Sequence, residues 1–219
     1  NNLIKLLINI GFSINLKDKK GQTPIHLASL NNNFFIIEYA ILNLNFDINN
    51  IDYDGDSLII NSCSLNFSKL SIFLINLNAN INLHCKKKLT PLHWSCFHLN
   101  YEITEELIKN LGNLNIKNIN GDTPLHFACM SFNYKFLQFL ISKGGNIYIK
   151  NNHDISVNDL WNNINYLKKK TLNNILVKEQ NWFNRKNYAF FLNSLKTCKS
   201  TNLIINVFYN LDRLIASYL

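Results

Sequence analysis

The 219-residue chain reads as an all-α solenoid, a stack of short helix pairs closed by a C-terminal helical cap. Three observations predict this class. A nonapeptide of one pattern recurs: "GQTPIHLAS" opens at Gly21, "KLTPLHWSC" at Lys88 and "GDTPLHFAC" at Gly121, with a worn copy, "GDSLIINSC", at Gly55. Its hydroxyl-bearing third residue, Thr23, Ser57, Thr90, Thr123 and then Ser156, returns at intervals of 34, 33, 33 and 33. A second phase, Ile14, Ile48, Ile81, Leu114 and Ile147 in Asn-Ile-Asn type stretches, keeps the same intervals. Self-similarity at this period marks an array whose units bury their apolar faces only against their neighbours.

Residues 1–20 ("NNLIKLLINIGFSINLKD") supply the outer helix and loop of a truncated first unit. Full units open near 21, 55, 88 and 121, and a degenerate opening follows at Asp154 ("DISVNDLW"). The stack is therefore predicted over 1–160 and the capping region over 161–219. Thr23, Thr90 and Thr123 stand where a hydroxyl can cap the helix that follows. Pro24, Pro91 and Pro124, all three prolines of the chain, fall at the first helical position, where a missing N–H costs nothing. Gly21, Gly55 and Gly121 allow the tight turn before each helix, whereas Lys88 replaces the fourth glycine and predicts a strained or differently shaped turn. In the unit from Gly121, the stretch from Pro124 to Met130 supplies an inner helix. Phe136, Leu137, Leu140 and Ile141 then form the buried stripe of an outer one, which Gly144 and Gly145 stop. The second unit departs most, with Leu58 in place of proline and Ile60 in place of histidine, and is predicted to be locally weaker. The extra residue in the first interval is predicted to bulge the outer-helix exit near "NLNFDINN".

These residues resemble the ankyrin repeat family, whose signature is Thr-Pro-Leu-His-x-Ala within a 33-residue unit of a β-turn and two antiparallel helices. The resemblance covers about Asn1 to Trp161. It implies a non-enzymatic scaffold without a cofactor, presenting a rigid concave surface of loop tips and inner helices to a protein or peptide partner. It also implies that His26, His93 and His126, which share one repeat position, bridge backbone and Thr groups of adjacent turns and do no catalysis. Asn fills many solvent positions, a usage expected of an AT-rich protist genome.

The cysteines follow the same period. Cys63, Cys96 and Cys129 occupy one position, with Ser29 as its fourth member, in a row too widely spaced for disulfides or tetrahedral zinc. Cys85, beside His84 in a loop tip, is expected to be exposed and open to reaction, although two residues make no site; Cys198 is isolated. No Cys-x-x-Cys pair occurs, so a reducing, intracellular and cytoplasmic setting is expected. No phosphate-cradling glycine loop, HExxH stretch or paired-acid arrangement is present.

The formal net charge of +8 favours acidic partners. The loop tips carry Lys19 and Lys20, Tyr53 and Asp54, Lys86 and Lys87, Ile119 and Asn120, then Asn152 and His153. The position after the motif histidine holds Leu27, Asn61, Trp94 and Phe127. Trp94 and Phe127 are expected to form an exposed aromatic patch beside Lys86, Lys87 and Lys88, suited to an acidic peptide with one or two apolar anchors; the bland alternative packs them against the next inner helix. The lysines are not interleaved into a continuous stripe, which argues against a nucleic-acid partner. No apolar run reaches the ~20 residues of a membrane span. The segment begins in mid-motif, compatible with a targeting peptide or further domain ahead of it, and the oligomeric state stays open.

After Val157 the repeat gives way to helical patterns. Leu203, Ile204, Val207, Phe208, Leu211 and Leu214 line one face, and Trp161 and Trp182 are expected to cover the bare end of the stack. "LKKK" at 167–170 reads as a solvated helix face. Two other roles fit the same residues: a structural subunit held permanently in a larger assembly, and a regulatory or targeting domain of an enzyme encoded outside this segment.

Overall fold

Residues 13–131 and 133–162 are described in a computed structural model. The chain divides into two compact units, Asn1–Asn158 and Asp159–Leu219. The helices predicted after residue 162, with Trp182, Cys198 and the face from Leu203 to Leu214, lie outside the described residues. So does the outer helix predicted within residues 1–12.

The described part is an all-α repeat of paired helices. Its pairs are α1 (Pro24–Leu30) with α2 (Phe34–Leu44), α3 (Leu58–Ser64) with α4 (Ser68–Asn76), α5 (Pro91–Phe97) with α6 (Tyr101–Lys109), and α7 (Pro124–Met130) with α8 (Tyr134–Ser142). A further helical stretch begins at residue 157. Inner helices of 7 residues are too short to stand alone in water. They persist because α1 packs on α3, α3 on α5 and α5 on α7, sealing Ile25, Leu58, Ile59, Leu92 and Leu125 at 2 % exposure or less. Phe136, Leu137 and Leu140 of α8 are buried as the periodicity predicts, each contributing roughly 1.5–3 kcal/mol by leaving water. Ile141, the fourth member of that stripe, is 42 % exposed and lies at its edge.

Among the described residues, the units turn the chain through left-handed backbone at three recurring places. At the tips the residues are Gly21, Gly55, Lys88, Gly121 and Asp154, with φ of 74°, 81°, 57°, 76° and 60°. At the inner-helix exits they are Asn32, Asn66 and Leu99, with φ of 51°, 59° and 55°. At the outer-helix exits they are Asn45, Asn78, Leu111 and Gly144, with φ of 51°, 59°, 69° and 97°. Glycine takes this conformation without cost and Asn more readily than most, whereas another L-residue gives up roughly 1–2 kcal/mol. The abundant Asn therefore has a local use. Lys88 adopts the hand of the glycines it replaces, so its turn keeps the common shape and carries the strain.

The extra residue of the first interval lies at the outer-helix exit, as expected: the Phe46 N–H reaches back six residues to the Ala40 carbonyl at 3.1 Å, where Ala79, Gly112 and Gly145 reach back five, to Leu74, Leu107 and Leu140. The left-handed exits Asn45, Asn78, Leu111 and Gly144 are evenly spaced, while α2 is 11 residues long against 9 for α4, α6 and α8. The Asn45 N–H also donates to the Ala40 carbonyl, five residues back, so the last turn of α2 is widened to take in the insertion.

The second unit holds its opening by other means. Ser57 Oγ accepts from the Ile60 N–H at 3.5 Å, and Asn61 Nδ2 donates to Ser29 Oγ of the preceding unit at 3.0 Å in a buried position. Between its two helices Ser71 Oγ donates to Ser62 Oγ at 2.9 Å, and the third unit repeats the device with Thr104 donating to Ser95 at 2.9 Å. The first and fourth units fill the same positions with carbon, Ala28 with Ile37 and Ala128 with Leu137.

The glycines of the turns differ in what they would tolerate. A Cβ on Gly121 would stand 2.7 Å from the Asn152 backbone nitrogen, whereas one on Gly144 would meet nothing within 4 Å. Gly121→Ala is expected to cost about 2 kcal/mol or more, the sum of a left-handed penalty and a backbone clash, and Gly144→Ala about 1 kcal/mol from conformation alone. Urea unfolding of both variants checks the order; equal losses would deny the close approach of the tips.

Candidate functional site: the row of loop tips

Each tip is built from a repeated local device. An Asx side chain at its root accepts two backbone N–H groups: Asp18 from Lys20 and Gln22, Asp52 from Asp54 and Asp56, Asn118 from Asn120 and Asp122, and Asn151 from His153 and Ile155, at 2.8–3.1 Å. The third tip has Cys85 in that place. Neighbouring tips are joined by main-chain bonds, Tyr53 N–H to Lys20 C=O at 3.0 Å, Lys86 to Asp54 at 2.7 Å, Ile119 to Lys87 at 3.1 Å and Asn152 to Asn120 at 2.9 Å. Side chains add Gln22 to Asp52 at 3.1 Å and Asn151 to Asp122 at 2.8 Å. The result is a ribbon of tips already ordered before any partner arrives.

Below the ribbon lie the motif residues. In α1, α5 and α7 the threonine N–H donates to Nδ1 of the histidine three residues on, at 3.1–3.2 Å, and the hydroxyl stands 2.8–2.9 Å from the same nitrogen. These are capping boxes with histidine in the place usually taken by Glu or Gln. The other nitrogen, Nε2, faces a carbonyl beyond the outer helix: Asn50 for His26 at 3.0 Å, Asp122 for His93 at 3.2 Å and Ile155 for His126 at 3.1 Å. A carbonyl only accepts, so the proton sits on Nε2 and the ring is neutral. Both nitrogens are engaged in folding, as the resemblance implied. His98 makes a bond of the same kind, Nε2 to the Ser64 carbonyl at 2.8 Å, which the motif spacing did not reveal.

The aromatic patch expected at Trp94 and Phe127 is not on the surface. Trp94 is 3 % exposed and Phe127 0 %, against 45 % for Leu27 at the equivalent position. The row faces the preceding inner helix: Phe127 stands edge-on to His93 with centroids 5.4 Å apart, just as Asn61 reaches Ser29. Leu27 is open because α1 has no described inner helix before it. Cys85 is likewise buried, at 5 %, because the root of the tip is enclosed and its backbone abuts Gly55. Cys63, Cys96 and Cys129 are free, buried thiols; burial pushes Cys63 and Cys129 up to about 12 and Cys96 well above the ordinary range, which keeps them from acting as nucleophiles.

What the tips present to solvent is cationic and aromatic side chains. Lys19, Lys20, Lys86 and Lys88 are exposed and Lys87 is half-buried. Lys86 pairs with Asp54 at 3.5 Å, so the acidic second tip lies between two basic ones. Tyr53 is 59 % exposed, packs over Gly21, and has the Lys17 ammonium 5.9 Å from its ring centre. Among the described residues no group of three or more His, Cys, Asp or Glu could hold a metal ion, and no helix is long and apolar enough to cross a membrane.

The buried histidines give the fold a pH dependence. Burial lowers His93 from 6.5 to about 4 and also lowers His26, His98 and His126. Each contributes stability that is full above the ordinary value of 6.5 and is lost as the pH falls from there toward the folded-state value, near 4 for His93, because the unfolded chain binds the protons first. Asp122, which faces His126, is raised by burial and acts in the opposite sense at lower pH. The unfolding midpoint is expected to fall between pH 7 and pH 5, with a shallower slope for His93→Gln; calorimetry showing a flat profile would remove this linkage.

The family model described as ankyrin repeats, three copies, matches residues 1–85 and 59–151. With the capped helix pairs, the stacked inner helices and the ribbon of tips in place, that match over more than half of the chain shows that it belongs to the ankyrin-repeat family, a class of non-catalytic domain that typically mediates protein–protein interaction.

Proposed function

We propose that the tip row recognises an acidic protein or peptide segment, laid across the first three tips in the cytoplasm. Tyr53 supplies the aromatic contact, and Lys19, Lys20, Lys86, Lys87 and Lys88 supply the charge. The observation that carries this reading is Tyr53 itself, a large side chain left 59 % exposed yet held over Gly21 and under Lys17, between two basic tips. A rigid aromatic loses little side-chain freedom on contact, and the hydrogen-bonded ribbon loses little backbone freedom. Affinity is therefore not spent on ordering the site. Lysine charges at the rim steer an acidic partner and make its binding depend on salt. The buried Trp94 and Phe127 hold the inner helices together and stand outside this contact. The four cysteines among the described residues form no disulfide, which fits a compartment that keeps thiols reduced.

A displayed random-peptide library selected on the full chain tests the reading. Acidic sequences with an apolar residue are expected, and a Tyr53→Ala, Lys19→Glu, Lys20→Glu variant of unchanged helicity is expected to bind them at least tenfold more weakly. Enrichment of basic sequences, or full retention by the variant, would move the surface elsewhere.

A further inference from the structure

We propose that the third unit is the main partner-contacting unit, with Lys88 and Leu111 as its contact residues. The inference rests on the peptide-recognition reading above and names where on the stack recognition is concentrated. It begins from an asymmetry in the backbone. The first and second units use Gly21, Asn32 and Asn45, and Gly55, Asn66 and Asn78, at their three left-handed turns. The fourth uses Gly121 and Gly144 at the two that are described. The third alone uses Lys88, Leu99 and Leu111, none of which eases the turn. The same unit's tip also lacks the Asx oxygen that orders the roots of the other four tips, since Cys85 stands there.

Two of these side chains return little to the fold. Lys88 is exposed, and its side chain appears in none of the ion pairs formed by Lys86, Lys109, Lys143 and Lys150. Leu111 is 85 % exposed, the highest value among the exposed large apolar side chains, so it carries the cost of apolar exposure as well as that of its backbone. Leu99 is half-buried and partly repaid by packing. Strained conformations of this kind cluster at binding sites, where a side chain is needed more than an easy turn. Lys88 lies on the same tip as the exposed Lys86. A cation at the tip and a bare leucine on the same unit suit an acidic segment bearing one apolar side chain.

The test uses the full chain and one acidic peptide from the library selection, with Lys88→Gly and Leu111→Asn made separately. Each substitution relieves the backbone, so each is expected to raise the unfolding midpoint by about 2–4 °C. Each is also expected to weaken the peptide about five- to tenfold, with Lys88→Arg keeping wild-type binding. Variants that are more stable yet bind the peptide unchanged would overturn this inference and leave the tip-row reading standing. Variants that are no more stable would overturn the strain argument on which it is built. A library that yields no acidic binder would remove the tip-row reading and this inference with it.

Discussion

The stack depends on a neutral imidazole held at both nitrogens. At Nδ1 it accepts from the threonine that begins its own helix, and at Nε2 it donates to a carbonyl on the far side of the outer helix. One side chain thereby starts a short helix and ties it to the loop that leads into the next unit. A charged ring would keep the second job but not the first, because a proton on Nδ1 would face the threonine N–H that needs an acceptor. The ring must therefore be buried, and burial is what keeps it neutral. The repeat of the motif is the repeat of this constraint, and the proline, threonine and glycine around it exist to present the histidine at the right place.

Where the histidine is lost, the chain shows how much of the arrangement is local. Ile60 gives the second unit no such bridge, yet Ser57 still caps, Gly55 still turns, and Asn61 supplies a buried bond to Ser29. His98 then reaches from the third unit back to Ser64, so a half-buried imidazole again joins these two units, at the other end of the inner helices. The expectation of a weak second unit considered only the motif; the structure distributes the same interactions over residues that the motif does not contain. Departure from the residues that ease the common turns shifts to the third unit, whose Thr-Pro-Leu-His motif is intact.

The fold was legible because its period is long and its signals independent: a cap, a proline and an apolar phase recur together, and only stacked units explain that. The site was less so. Burial of Trp94 and Phe127 depends on which neighbour their row faces, and a 33-residue period states that residues are equivalent without stating whether the equivalent place is inside or outside. Leu27 is at that same place and is open, so even equivalence fails where no described inner helix precedes. The left-handed exits were hidden for another reason. In composition the Asn content is only a bias of usage, while Asn32, Asn45, Asn66 and Asn78 perform the turn that glycine performs elsewhere. Without the dihedral angles nothing distinguishes these from the Asn residues that merely face water.

A repeat protein separates what it must conserve in each unit from what it can vary, and the separation here is geometric. Several buried side chains, Asn61, His93 and His126 among them, make bonds that run from unit to unit, so changing one affects two units. The tip side chains project from a ribbon held mainly by main-chain and Asx bonds, so Lys, Tyr, Ile or Asn can occupy them and leave the main-chain links in place. Tyr53 can thus be replaced without loss of the main-chain bond that its own N–H makes to Lys20. Position 88 is the exception, because there the backbone itself favours glycine. A lysine in that place does not come free, and a cost retained at the surface of an otherwise well-satisfied stack is best explained by what the side chain meets outside it.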